Sequence, residues 1–273
     1  MTRDATLRVV QAGFATTVQD RGRRGRAHLG VPIAGAVDQQ SHDLVNRLVG
    51  NSADAATIET LGALVVEALR PTIVASSADG SRHTLLTGDR LRVDAPAGGV
   101  WAYLAVRGGI EVTPVLGSRS TDTLGGLGPS PLTSGALVAA GVDPGSALVA
   151  DLAPTPRASR DVLRIWDGPQ HDWFVGGRQV LIERSWLVTN DLSRVGVRLE
   201  MGEFVRSTRA QPQMPSIGLV AGAIQITPAG EPIVMLANHP TTGGYPVIAV
   251  VDAEDMATLV QTRPGSRVRF RRP

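Results

Sequence analysis

The 273-residue chain contains no cysteine and no lysine, and each absence excludes a class of chemistry. Without cysteine there is no disulfide, no thiolate nucleophile and no cysteine-based zinc site. Without lysine there is no standard Walker A loop, no Schiff base and no attachment point for biotin. An amidase of the Ser-Ser-Lys type is excluded for the same reason. All 27 basic residues are therefore arginines.

Aromatic residues and long apolar runs are also scarce. Aromatics make up 4% of the chain. The chain contains no run of about 18 apolar residues, which would indicate a membrane helix, and no apolar segment typical of a signal peptide. The 25 acidic residues nearly balance the arginines, and few rings are available for stacking on bases. We therefore expect a cytoplasmic protein that binds neither nucleic acid nor a membrane.

Glycine (31 residues) and proline (18 residues) are plentiful, and they separate many short Val, Leu and Ile runs. This pattern predicts an all-β protein, mainly antiparallel, of the sandwich or barrel type. The predicted strands are 7–10, 15–18, 64–66, 72–74, 84–86, 91–93, 101–106, 162–166 and 266–270, and residues 138–149 are predicted as strand and turn.

Two helices are predicted within this β pattern. Residues 39–49 carry one apolar face, Asp38 is a good N-cap, and Gly50 is a natural stop. Residues 253–261 form the second predicted helix, with Asp252 as its cap.

A proline-rich stretch near the middle of the chain predicts a linker. Residues 153–159 lack a hydrophobic pattern, and a second β-rich half begins after them. We therefore predict an N-terminal domain over residues 1–153, which includes the first helix, and a C-terminal domain over residues 154–273.

No metal site and no serine nucleophile are predicted. The five histidines are scattered, with no i, i+4 or His-x-His pair, whereas metal sites usually need a local pair and a carboxylate. The chain also lacks a Gly-x-Ser-x-Gly nucleophile motif.

The loop of residues 19–26 contains four arginines and two glycines. Guanidinium groups bind carboxylates and phosphates through paired hydrogen bonds, and glycines let backbone amides approach an anion. The alternative is a solvated basic turn. Asp20 favours the anion site, because a carboxylate among arginines can orient a guanidinium or accept a proton.

Two later segments also combine glycine with hydroxyl groups. Residues 117–122 contain Arg119 and Asp122, and they form either a ligand-binding loop or a turn closed by Asp122. Residues 241–246 read Thr-Thr-Gly-Gly-Tyr-Pro, which offers the backbone amides and hydroxyls that an oxyanion hole requires. The alternative for this segment is a hairpin turn with a packed tyrosine.

Taken in order, these segments resemble one family. The chain is similar to the KipA family, whose members are also called the C-type subunit of 5-oxoprolinase, allophanate hydrolase subunit 2 or biotin-dependent carboxyltransferase. Order and spacing agree over essentially the whole chain. The matching segments are residues 16–23, 30–38, 49–51, 106–109, 115–122, 168–170, 193–199, 222–225, 241–246 and 263–265.

The resemblance implies a fold, an activity and partners. It implies two cyclophilin-like β-barrel halves, a KipI-like, B-type subunit as partner, and often a LamB/YcsF-type protein as a third component. The implied activity is an ATP-dependent 5-oxoprolinase, a hydrolase that opens a lactam to glutamate and is inactive without its partner. The label allophanate hydrolase conflicts with the missing lysine.

Two other functions are implied by the same family. One is the carboxyltransferase component of a urea carboxylase-type enzyme, which needs biotin on a separate carrier. The other is a non-enzymatic regulator that binds a KipI-type kinase inhibitor. Neighbouring genes would distinguish the three functions.

The resemblance and the residue chemistry together select the candidate site. The predicted catalytic residues are Asp20, Arg21, Thr242 and Tyr245. The predicted substrate- or anion-binding residues are Gln19, Arg23, Asp38, Arg107, Ser118, Arg119, Asp122, Gln225, Thr241, Gly243 and Gly244.

Two departures from the family pattern and one spatial prediction complete the hypothesis. Relatives often carry aspartate at Asn238 and lysine at Val247, so neither position is assigned acid–base chemistry. We also predict that the loop of residues 19–26 and the turn of residues 241–246 line one cleft, because each offers only part of a catalytic set.

Overall fold

The computed structural model describes residues 4–154, 161–211 and 214–273. Strands dominate these ranges and the helices are short, which confirms the all-β prediction. No helix within them is long and apolar enough to cross a membrane.

The chain divides into two compact units, which we call the first and second units. The first comprises Met1–Arg23 and Ala34–Arg157, and the second comprises Arg24–Ile33 and Ala158–Pro273. Residues 155–159 of the predicted linker lie outside the described residues. The predicted domain boundary between residues 153 and 154 stays a prediction.

The described part of the first unit contains two antiparallel sheets and one ten-residue helix, α1 (Gln39–Leu48). Its strands are β1 (Leu7–Gln11), β2 (Ala15–Gln19), β3 (Thr57–Leu61), β4 (Leu64–Ala68), β5 (Thr72–Ser76), β6 (Ser81–Leu85), β7 (Arg90–Val93), β8 (Trp101–Val106) and β9 (Leu137–Val138). The sheet orders are β7-β4-β1-β9 and β2-β3-β8-β5-β6.

Burial explains where these elements lie. Every residue of β8 is buried, as expected for a continuous apolar strand between two neighbours, here β3 and β5.

The predicted helix 39–49 is confirmed with its last residue at Leu48. The Asp38 carboxylate accepts hydrogen bonds from the backbone N–H groups of Gln40 and Ser41, which makes it the N-cap.

The second unit is built around a closed seven-stranded barrel, of order β10-β17-β14-β15-β12-β11-β18, so the predicted barrel is present here. β10 and β18 pair in parallel and the other barrel strands pair antiparallel. The strands are β10 (Val162–Asp167), β11 (Ser185–Leu192), β12 (Gly196–Leu199), β13 (Ile217–Gly218), β14 (Ala223–Ile226), β15 (Pro232–Met235), β16 (Thr242–Gly243), β17 (Val247–Val251) and β18 (Arg267–Arg271). β13 and β16 form a separate two-stranded sheet.

The helices of the second unit are short and depart from the prediction. The predicted helix 253–261 is split into a 3-10 turn (Ala253–Asp255) and α3 (Met256–Val260), with Asp252 capping the turn. α2 (Gln179–Ile182) was not predicted, because four residues without a side-chain cap leave no periodic signal. Two further 3-10 turns lie at Ala27–Leu29 and His171–Trp173.

Candidate functional site

The Asp20 carboxylate joins the arginine loop to the glycine-rich stretch that follows β8. Asp20 is only 6% exposed. Its Oδ1 accepts hydrogen bonds from the hydroxyls of Ser118 and Ser120, both at 2.6 Å, and from the backbone N–H of Gly22 at 2.8 Å. Its Oδ2 accepts one from the backbone N–H of Arg119 at 2.6 Å. We call these five residues the Asp20 cluster.

These donors control the protonation of Asp20. Burial alone raises the pKa of a carboxyl group, because water no longer stabilises its charged form. The hydrogen bonds from the Ser118 and Ser120 hydroxyls and from two backbone amides outweigh this desolvation and hold the pKa of Asp20 below its ordinary value of 3.8. An ionised carboxylate with four donors is a weak base. The geometry therefore argues against a proton acceptor, and Asp20 binds hydroxyls and backbone amides instead of the predicted guanidinium.

Arg23 is buried and also connects the arginine loop to the glycine-rich stretch after β8. It is 1% exposed, and its guanidinium donates to the backbone carbonyls of Val115 at 3.0 Å and Ser120 at 2.5 Å. Desolvation lowers the pKa of Arg23, and the nearby charges of Asp122 and Asp20 partly oppose that shift. Arg23 thus points into the first unit instead of offering its charge to a ligand at the surface.

Gln19 lies beneath the same loop. It is fully buried, and its side-chain amide donates to the Thr17 hydroxyl and to the backbone carbonyl of Thr121, both at 3.0 Å. Gln19 Oε1, Thr121 Oγ1 and Arg23 Nη1 are buried and have no hydrogen-bond partner within the described ranges. Buried polar atoms of this kind are usually satisfied by internal water.

Two arginines of the predicted anion site reach the surface. The side chain of Arg21 is 40% exposed and pairs with Asp43 of α1 at 2.6 Å. The Arg119 side chain is half-buried and forms no hydrogen bond or ion pair with any described residue, although its backbone belongs to the Asp20 cluster. Arg119 is therefore the better placed of the two to bind an external anion.

Three other predicted binding residues carry structural contacts. Asp38 caps α1, as described above. The Arg107 guanidinium is bound by Asp143 at 2.8 Å and donates to two backbone carbonyls. Asp122 accepts hydrogen bonds from the backbone amides two and three residues further on, at 3.0 and 2.9 Å, so it closes a turn.

Residues 241–246, which we call the Tyr245 turn, lie in the second unit. Thr242 and Gly243 form β16 and pair with β13. Tyr245 is 44% exposed, so it is not the packed tyrosine of the alternative interpretation. The side-chain amide of Gln225 donates to the Tyr245 carbonyl at 2.9 Å and fixes the turn from the barrel side.

A cavity of about 310 Å³ opens on one side of the Tyr245 turn. Its walls include Ser193, Arg198, Gln225, Gly243, Gly244 and Tyr245. The Arg198 guanidinium already pairs with Asp191 at 2.5 Å and Glu231 at 2.8 Å. The cavity therefore offers hydroxyl, amide and backbone groups more readily than a free cation.

The two departures from the family pattern lie close to this turn in sequence. Asn238 is fully buried, and its backbone N–H donates to the carbonyl of Arg194 at 2.9 Å. The Val247 side chain is buried in an apolar cluster with Leu219, Ala223 and Met235. An apolar residue at position 247 is thus explained by packing.

A second cavity of about 320 Å³ adjoins Gly244, Tyr245 and Pro246 of the turn. Trp173, Arg206, Ile226, Gly244, Tyr245 and Pro246 are among its lining residues. Sequence reasoning missed Trp173 and Arg206, which belong to no motif and lie 33 residues apart. The one available signal was that Trp173 is among only four tryptophans in the chain.

The structure thus gathers the predicted residues into two groups, one in each unit. Gln19, Asp20, Arg23, Ser118 and Arg119 lie together in the first unit. Gln225 and the Tyr245 turn lie together in the second. The prediction that both groups line one cleft stays a prediction.

The sequence matches the model of the carboxyltransferase domain family, subdomain A and B, over residues 29–272. The chain belongs to this family. The family resemblance found in the sequence is thereby confirmed.

Proteins with known names or structures resemble the chain along its length. The C-type subunit of 5-oxoprolinase from Escherichia coli (strain K12) is 35% identical, with 97% of this chain and 90% of that protein aligned. A crystal structure of TTHA0988 matches 99% of this chain with a TM-score of 0.88 and 32% identity. The crystal structure of Kluyveromyces lactis urea carboxylase matches all of it with a TM-score of 0.86 and 26% identity. This chain spans 57% of TTHA0988 and 28% of the urea carboxylase.

Proposed function

We propose that the chain is a subunit of an ATP-dependent 5-oxoprolinase that hydrolyses 5-oxoproline to glutamate. The observation that carries this proposal is the alignment with 90% of the C-type subunit of E. coli 5-oxoprolinase at 35% identity. We further propose a KipI-like, B-type subunit and a LamB/YcsF-type protein as partners, with ATP bound at the level of the complex.

The residues of the second unit suit part of this chemistry. Opening a lactam breaks a resonance-stabilised C–N bond, while water supplies the oxygen of the new carboxylate and the ring nitrogen leaves as an amine. Negative charge develops on the carbonyl oxygen during this step. Gly244 and Tyr245, which line both cavities, offer a backbone amide and a hydroxyl of the type that stabilises such charge. Thr242 and Gly243 pair with β13 and hold the turn in place. We assign Thr241 and Gln225 to positioning the Tyr245 turn, whose Tyr245 carbonyl accepts a hydrogen bond from the Gln225 side-chain amide.

The residues of the first unit suit the binding of an anion. Arg119 offers a guanidinium without a partner among the described residues, on a loop held by the Asp20 cluster. Arg21 is exposed enough to exchange Asp43 for a ligand or for a partner protein. We assign both arginines to phosphate or carboxylate recognition.

A dependence on other proteins is supported by the length of the relatives. The chain spans 57% of TTHA0988 and 28% of the urea carboxylase, so both carry much additional chain.

The second candidate is the carboxyltransferase component of a biotin-dependent enzyme. The family model itself and the match to K. lactis urea carboxylase favour it. Biotin would then be attached outside these 273 residues, because they contain no lysine.

Avidin distinguishes the two candidates. We expect the chain, reconstituted with its partners and ATP, to convert 5-oxoproline to glutamate at the same rate with and without avidin. Carboxylation of urea that depends on a biotinylated carrier and stops on addition of avidin would support the second candidate and refute the first.

A further inference from the structure

The backbone of Arg206 is held in place beside the cavity that adjoins Trp173. It forms an antiparallel β-bridge with Phe174. The backbone N–H of Ser207 donates to the Trp173 carbonyl at 2.9 Å, and the Ser207 hydroxyl donates to the Asp172 carbonyl at 2.5 Å. These three contacts join the segment that carries Arg206 to the segment that carries Trp173 and Phe174.

The charge of Arg206 has no counter-ion among the described residues. Its guanidinium carbon lies 5.7 Å from the ring centre of Trp173 and 5.5 Å from that of Phe174, which are cation–π distances. The nearby carboxylate of Asp172 pairs with Arg209 at 3.1 Å. The N–H groups of Arg206 remain available, and a guanidinium is a planar fork that fits a carboxylate.

The remaining walls suit a small ring. Trp173, Tyr245, Pro246 and Ile226 present aromatic and aliphatic groups to a cavity of about 320 Å³. The exposed lining mixes polar and apolar groups, which suits a ligand that carries polar groups on a small ring. Gly244 lines the same cavity, and a Cβ added to it would meet no heavy atom within 4 Å, so its backbone is open to a ligand.

We propose that this cavity binds a small cyclic amide that carries a carboxylate, with Arg206 as the carboxylate receptor and Trp173 as the ring platform. The inference rests on the proposed function, because 5-oxoproline is a five-membered lactam with one carboxylate. The inference goes further by naming Arg206 as the residue that makes the cavity prefer an acid to a neutral lactam. In this arrangement the lactam amide faces Gly244 and Tyr245.

The test uses the chain assembled with its partner proteins and compares Arg206→Gln with Arg209→Gln. Both changes remove one exposed arginine charge from the same segment, but Arg209 does not line the cavity. We expect Arg206→Gln to raise the KM for 5-oxoproline by about tenfold to a hundredfold, the loss typical of one charge-assisted hydrogen bond, with a smaller change in kcat. Arg209→Gln should leave the KM within about twofold. Arg206→Lys, which keeps the charge without the fork, should lie between them.

A second readout separates this inference from the proposed function. Calorimetric titration of the full chain with 5-oxoproline and with 2-pyrrolidinone, which lacks the carboxylate, measures recognition without turnover. We expect the wild type to prefer the acid and Arg206→Gln to lose that preference. The complex could fail to hydrolyse 5-oxoproline while the wild type still prefers the acid and Arg206→Gln does not. That result would refute the proposed function and support the carboxylate site. Equal binding of 5-oxoproline by wild type and Arg206→Gln, or no binding by the wild type, overturns the site.

Discussion

The hydroxyls that bind the Asp20 carboxylate lie 98 and 100 residues away along the chain. Desolvation favours the neutral acid, yet four donors favour the anion more strongly, so the pKa is lowered. A carboxylate in this state stabilises the folded protein and is a poor proton acceptor. Its effect on stability must therefore depend on pH.

Asp20→Asn should destabilise the protein by roughly 3 kcal/mol at neutral pH, because an amide nitrogen would then face hydrogen-bond donors. The folded pKa of Asp20 lies below the ordinary 3.8, so its contribution is complete above that value and disappears as pH falls through the folded pKa. Urea unfolding from pH 7 down to pH 3 should show the two proteins converging.

The exposed pair of Asp94 with Arg92 provides the control. Asp94→Asn should change the free energy of unfolding by less than about 1 kcal/mol at any of these pH values. A constant difference between wild type and Asp20→Asn across the whole range would contradict the assignment of an ionised Asp20.

Arg21→Ala tests the anion assignment. The Arg21–Asp43 pair is partly exposed, so its loss should cost no more than about 1 kcal/mol and leave the Tm nearly unchanged. We expect activity of the assembled complex to be lost. Asp43→Asn removes the same ion pair and keeps the arginine, so it should retain activity. Full activity in Arg21→Ala would refute a role for this arginine in binding.

At the scale of elements, the two glycines of the Tyr245 turn differ in their surroundings. A Cβ on Gly243 would lie 2.8 Å from Gln225 Nε2 and 2.8 Å from Leu219 Cδ1, whereas at Gly244 it would enter open space. Gly243→Ala should therefore destabilise the protein by roughly 1–3 kcal/mol through overpacking. Gly244→Ala should keep the wild-type Tm and reduce activity by placing a methyl group in the substrate cavity. Unchanged activity in Gly244→Ala would remove the turn from the site.

The first helix and most strands of the first unit could be predicted because their signals are local, whereas five of the seven barrel strands, β11, β12, β14, β15 and β17, were not predicted. A cap at Asp38, an apolar face and a glycine stop define α1, and the apolar run of β8 marks a buried strand. The role of Ser120 could not be predicted, because its contact with Asp20 depends on how distant loops pack. The same holds for Arg206 and Trp173, which only the paired backbone of two loops brings together.

At the scale of the whole molecule, the chain has the fold of its family. It lacks cysteine and lysine, and its best-positioned carboxylate, Asp20, is fully engaged by donors. Relatives of known structure contain this fold as 57% and 28% of longer chains. These facts together favour a subunit that contributes binding and electrostatic stabilisation to a shared reaction.

The most direct test of this account is an omission series in which glutamate released from 5-oxoproline is measured in the presence of ATP. The account predicts release when this chain is combined with its KipI-like and LamB/YcsF-type partners, and none from this chain alone. Omitting this chain, or ATP, should also abolish release. Robust turnover by the isolated chain, or full activity of the partners without it, would contradict the account.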